Sequence, residues 1–90
     1  MSDISAKHIL VEHEHEAQDL IKKIGEGESF EDLAAKFSKC PSGRQGGALG
    51  RFGRGQMVKP FEDAAFELEV GQTSGPVKTQ FGFHLIHRDG

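Results

Sequence analysis

The apolar residues of this chain are spaced in two rhythms, and the places where the rhythm changes decide what it can fold into. Near the start, Ala6-Lys7-His8-Ile9-Leu10-Val11 alternates like a strand, with His8 and Leu10 on one face and Ile9 and Val11 on the other. Near the end, Phe83 to Arg88 alternates again, His84 and Ile86 against Phe83, Leu85 and His87. Between them the spacing turns helical. Ala17, Leu20, Ile21 and Ile24 recur at i, i+3, i+4 and i+7, and Gly25 or Gly27 ends the stripe. Phe30, Leu33, Ala34 and Phe37 form a second stripe, opened by Ser29 as N-cap with Asp32 three residues on. It stops at Cys40-Pro41, because a residue before proline is pushed out of the α region, so Cys40 falls on a loop just past a helix end. Pro60 suits the first turn of a third helix, with Phe61, Ala64, Ala65 and Leu68 as its stripe and Gly71 closing it. Thr73 to Thr79 reads as a strand broken by Gly75-Pro76, and Phe81-Gly82 as a turn.

Strands at both ends with helices between them predict an α+β fold, helices packed on a small, largely antiparallel sheet. Ninety residues hold one core, so 1–90 is expected to be a single domain. That core leans on seven Phe, since Trp and Tyr are absent. One Cys rules out an intrachain disulfide, and nothing argues for an oxidising compartment. The apolar run Ile9-Leu10-Val11 is too short for a signal-peptide core or a membrane span. The expectation is a cytoplasmic, monomeric protein with no membrane partner, or a domain cut from a larger one.

The net charge of −3 conceals an asymmetry: residues 33–61 carry six bases (Lys36, Lys39, Arg44, Arg51, Arg54, Lys59) and no acid. This is either a solvated loop surface or a patch that attracts acidic peptide or nucleic acid. The stretch from Gly46 to Gly55 lacks the Gly-Lys-Ser/Thr ending of a phosphate loop and the GxGxxG spacing of a dinucleotide fold. A turn-rich loop with close backbone approach accounts for it better, and nucleic acid is not the expected partner.

Chemistry rests on one thiol and five imidazoles. His8 and His84 lie on strands from opposite ends of the chain, and the rings meet only if those strands are neighbours. His13 and His15 sit in an acid-flanked helix start, Glu12-His13-Glu14-His15-Glu16. Cys40 has three readings: a His-activated nucleophile, though no local protease signature surrounds it; a zinc ligand, though no CxxC or paired-His spacing is present; or an inert thiol. Residue pattern by itself favours the inert thiol, and each strand histidine by itself reads as a core residue.

Six segments taken in order change that reading. They are His8-Ile9-Leu10-Val11, Cys40-Pro41-Ser42-Gly43, Gly46-Gly47-Ala48-Leu49-Gly50, Gly55-Gln56-Met57-Val58-Lys59-Pro60-Phe61, Ser74-Gly75-Pro76-Val77 and Thr79-Gln80-Phe81-Gly82-Phe83-His84. With them the chain resembles the parvulin family of peptidyl-prolyl cis/trans isomerases from Lys7 to Arg88. The resemblance implies the parvulin (FKBP-like) fold, a four-stranded, largely antiparallel sheet surrounded by about four helices, the short fourth within Ser42–Gln45. It implies a catalytic group of His8, Cys40, Thr79 and His84, and a substrate-proline pocket of Leu49, Met57 and Phe61 with Phe81 and Phe52 at the rim. No cofactor and no metal are implied, and the partners would be proline-containing peptides and unfolded or partly folded proteins. His8 and His84 are expected to hydrogen-bond to each other, with Thr79 as orienter, and so to set the protonation of Cys40. One subgroup of the family prefers phosphoserine or phosphothreonine before proline through a basic loop after the first strand. Here that place is acidic, which predicts no phosphate requirement. A chaperone module that binds peptide in the same groove without turnover is the alternative.

Overall fold

The computed structural model describes residues 3–90. The first strand, β1 (Ile4–Val11), is followed by helices α1 (Glu14–Gly25) and α2 (Phe30–Phe37), a 3-10 turn (Pro41–Gln45) and β2 (Ala48–Phe52). Helix α3 (Lys59–Glu67) and the strands β3 (Val77–Thr79) and β4 (Gly82–Arg88) complete the order. All strand pairs are antiparallel, in the order β2-β1-β4-β3, so the two strands from the chain's ends form the sheet's centre.

The alternation in β1 and β4 sorts their side chains onto two covered faces. On one, Ile9, Val11 and Leu85 pack against Ala17 and Leu20 of α1 and Phe30, Leu33 and Ala34 of α2. On the other, Ile4, Ala6, Ile86 and Phe52 pack against Phe61 and Ala65 of α3. Each fully buried aliphatic side chain contributes about 1.5–3 kcal/mol relative to an exposed one. Ser29 caps α2 as expected, its Oγ accepting the Asp32 N–H at 3.2 Å, and Pro60 sits in the first turn of α3.

Four expectations are adjusted. The fourth helix is the 3-10 turn, begun by Pro41, one residue earlier than foreseen. Helix α3 ends at Glu67 rather than running on to Gly71: Leu68 is extended, and the Arg88 guanidinium donates to its carbonyl at 2.7 Å. Only Val77–Thr79 pairs as β3, because Gly75-Pro76 interrupts the ladder and leaves Thr73 as an isolated bridge to His87. The hairpin turn is Gln80-Phe81, since Gly82 already pairs with Thr79.

Strand β2 carries a bulge. Ser5 pairs with Arg51 and Lys7 with Ala48, so two steps along β1 meet three along β2. Gly50, with φ +73°, accommodates the extra residue. The bulge breaks the alternation, and Leu49 and Phe52 both join the α3 side.

Candidate active site

At the end of the α3 face that the helix leaves open lies a cavity of about 480 Å³. Its walls are largely apolar: Leu10 from β1, Leu49 from β2, Met57 and Val58 from the loop before α3, Phe61 from α3 and Phe81 from the hairpin. His8 and His84 line it from the central strands, and Lys39, Cys40 and Pro41 from the segment after α2. Phe81 is 59% exposed at the mouth, whereas Phe61 is buried.

The histidines meet because β1 and β4 are neighbours. Leu10 pairs with His84 and His8 with Ile86, so the two imidazoles sit diagonally on one face. Their Nδ1 atoms are 2.9 Å apart and both rings are buried. The backbone permits this through Gly47 (φ +85°), whose carbonyl accepts the His8 N–H at 3.0 Å. A Cβ on Gly47 would fall 2.3 Å from the His8 carbonyl oxygen, so no other residue fits there.

Burial pushes the His8 imidazole down to about 4, with His84 beside it adding to the effect. Burial also lowers His84. Two neutral rings bring two protons to four ring nitrogens, and one of them lies between the Nδ1 atoms. Thr79 is behind the pair: its Oγ1 is 2.7 Å from His84 Nε2 and accepts the Phe81 N–H at 3.1 Å. If the Thr79 hydroxyl donates to His84 Nε2, His84 carries its proton on Nδ1 and gives it to His8. That arrangement uses every hydrogen of Thr79 and His84. It leaves the proton of His8 on Nε2, which is buried without a partner while its ring meets Phe61 at 84°.

Cys40 is held differently from the expectation. Its Sγ accepts from the Ser42 hydroxyl at 3.2 Å, and its N–H donates to Ser38 Oγ at 3.3 Å. Among the described residues no histidine hydrogen-bonds to the thiol, so the pair does not set the protonation of Cys40 through a direct bond. Ser38 Oγ also accepts the Leu10 N–H at 3.1 Å, fixing the Cys40 segment to the strand that carries His8. The loop bearing Met57 is anchored by Glu62, whose buried carboxylate accepts from Gly55 N–H at 2.5 Å and Arg54 at 2.9 Å. Those bonds, the Gly55 N–H foremost, hold its carboxyl below the usual carboxylate range.

A thiol, an apolar slot and two histidines thus share one cavity. The PPIC-type PPIASE domain, described as Rotamase, matches residues 5–90. The chain belongs to this family, the parvulins. This parvulin is 52% identical over 84 residues to a foldase protein PrsA from Geobacillus sp. (strain WCH70), covering 92% of this chain and 30% of that protein. The crystal structure of PrsA from Bacillus anthracis superimposes with a TM-score of 0.96 at 45% identity, over 98% of this chain and 41% of that one. The solution structure of NmPin, the parvulin of Nitrosopumilus maritimus, gives 0.90 at 46% identity and covers 100% of this chain and 98% of its own. The chain thus spans about 30% of the length of the curated PrsA relatives it matches.

Of the residues foreseen for the site, the parvulin fold brings His8, Cys40, His84, Leu49, Met57, Phe61 and Phe81 to one cavity, with Thr79 directly behind His84. Phe52 is not at the rim. It is 3% exposed in the core, packed against Phe61 and Phe66, because it pairs with Ile4 at the far end of β1. Leu10, Lys39, Pro41, Gln56 and Val58 complete the lining and were not foreseen as site residues. Leu10 was accessible to foresight, since alternation placed it beside His8.

Proposed function

We propose that this parvulin domain accelerates X–Pro rotation without forming a bond to its substrate and without requiring phosphate. The observation that carries the reading is an apolar slot whose polar floor is neutral. Rotation breaks amide conjugation against a barrier of roughly 18–20 kcal/mol, and it takes tens to hundreds of seconds unaided. Leu49, Met57 and Phe61 would grip the pyrrolidine ring and exclude water, favouring the twisted imide over both planar isomers. Cys40 would face the rotating carbonyl as a weakly polar group. Nucleophilic attack would need a base at the thiol, and its hydrogen-bonding neighbour is Ser42.

The acids that follow β1 support phosphate independence. Glu14 and Glu16 occupy the first turn of α1, with Glu12 just before it, and a dianionic phosphate arriving there meets like charge. Proline-containing segments of unfolded or partly folded proteins are the substrates this reading implies. A cytoplasmic location goes with it, because a thiol that must stay reduced suits a reducing compartment.

A protease-coupled cis/trans assay across X–Pro peptides tests the activity, with turnover expected. Cys40→Asp, which supplies a negative oxygen but no thiol, is expected to keep activity within about tenfold of the native chain. Complete loss in a folded Cys40→Asp protein would favour a covalent role. A phosphoserine-proline peptide turned over a hundredfold faster than its unmodified twin would sink phosphate independence.

A further inference from the structure

Met57 and Phe61 form two walls of the slot, and one residue ties the first to the second. Glu62 follows Phe61 in the first turn of α3 and holds the preceding loop at two places. Its backbone N–H donates to the Val58 carbonyl at 2.9 Å, and its buried carboxylate accepts the Gly55 N–H. Met57 lies between those two points. Arg54 completes the brace. Its guanidinium donates to Glu62 Oε2 at 2.9 Å, comes within 3.5 Å of Asp63 and lies 4.5 Å from the centre of the Phe66 ring, so three residues of α3 hold it. Within the loop, Gln56 Oε1 accepts the Gly53 N–H at 2.6 Å. Arg54, Gly55 and Gln56 are exposed, so burial does little to fix this segment and the bonds to Glu62 do most of it. A carboxylate is costly to bury unless it is paired, and here the pairing goes entirely to the loop that carries Met57.

We propose that Glu62 is a positioning residue that sets the ring-size specificity of the slot by fixing the Met57 lip relative to Phe61. The inference rests on the isomerase reading. Met57 is unbranched and adaptable, so its side chain supplies apolar surface but little precision. Precision comes from where its backbone is held, and Glu62 holds it to the same helical turn that presents Phe61. A lip tied to the opposite wall gives the slot one width. A lip released from that wall yields to a ring with one more methylene. In an apolar pocket with rigid walls a single methylene is worth about tenfold or more in selection, and it is worth little where the wall gives way.

The test compares kcat/KM for two peptides that differ only in proline against its six-membered-ring homologue, pipecolic acid. A protease-free exchange assay on the full chain is used, with each value taken relative to the uncatalysed rate. The native ratio of proline to homologue is expected at about 10. In Glu62→Ala, which frees Gly55 and Arg54 together, it is expected to fall to about 2. Glu62→Gln keeps an oxygen for the Gly55 N–H but loses the charged pair with Arg54, and its ratio is expected between the two, at about 5. Leu33→Ala weakens the opposite face of the sheet and is expected to keep the native ratio, which separates loss of the brace from loss of stability. A native ratio near unity overturns the inference, and so does a native-like ratio in folded Glu62→Ala or a ratio that falls equally in Leu33→Ala. If Glu62→Ala does not fold, an unchanged ratio in Glu62→Gln overturns it. Turnover of the proline peptide in any of these cases leaves the isomerase reading standing; no turnover of either peptide by the native chain overturns that reading instead.

Discussion

The two faces of the sheet use the same two central strands for different ends. Toward α1 and α2, the buried positions Ile9 and Val11 of β1 and Leu85 of β4 are apolar and the helices close over them. Toward α3, Ile4, Ala6 and Ile86 pack in the same way, but one step further on the series continues with His8, Leu10 and His84, which line the cavity. The polar pair is buried by its own hydrogen bond, by Thr79 and by Phe61 rather than by a second layer. In a domain this small, a site comes from leaving half of one face uncovered while the other face carries stability.

Breaking the closed face should have the largest effect. Leu33→Ala removes a side chain with no exposed surface, and a loss of about 3–4 kcal/mol is expected in chemical denaturation, with kcat/KM per folded molecule unchanged. The site face should respond next, through pH. His8 has a folded pKa of about 4 against 6.5 for the unfolded chain, so the unfolded state binds its proton first. Its contribution is complete above pH 6.5 and is lost as the pH falls toward 4, on the order of 2–3 kcal/mol by pH 4.5. Urea midpoints at pH 7.5 and 4.5 should therefore diverge more for the native chain than for His8→Asn, and equal divergence would refute the assignment. On the same face, Met57→Ala should lower kcat/KM by about tenfold, or about 1.4 kcal/mol, by opening the slot's lip. The smallest change separates the two uses of aromatic residues. Phe52→Leu should cost about 1 kcal/mol of stability and leave kcat/KM alone, since Phe52 packs behind the slot.

Much of this was legible in the sequence, and for identifiable reasons. Alternation fixed which residues of β1 and β4 share a face, and Pro41 put Cys40 beyond a helix end. What periodicity does not carry is which strands are neighbours and in what register. His8 and His84 become a pair only through the antiparallel match of Leu10 with His84. Family resemblance supplied that pairing; residue spacing did not. Phe52 was misplaced for a local reason. The bulge at Gly50 is a one-residue event, invisible to any rule of alternation, and it decides what Phe52 faces. The link from Ser42 to Cys40 is likewise a matter of backbone path, through a 3-10 turn too short for a hydrophobic period.

The placement of the earliest and latest strands at the centre of the sheet bears on how the molecule comes into being. His8 and His84 are 76 residues apart. A nascent chain emerging from the ribosome can pair β1 with β2, but it has neither the sheet's middle nor an imidazole pair until β4 is released. Closing so long a loop is slow relative to local structure. The histidine pair therefore arrives late and all at once, and a chain stopped before β4 would lack the site outright rather than hold a weaker version of it.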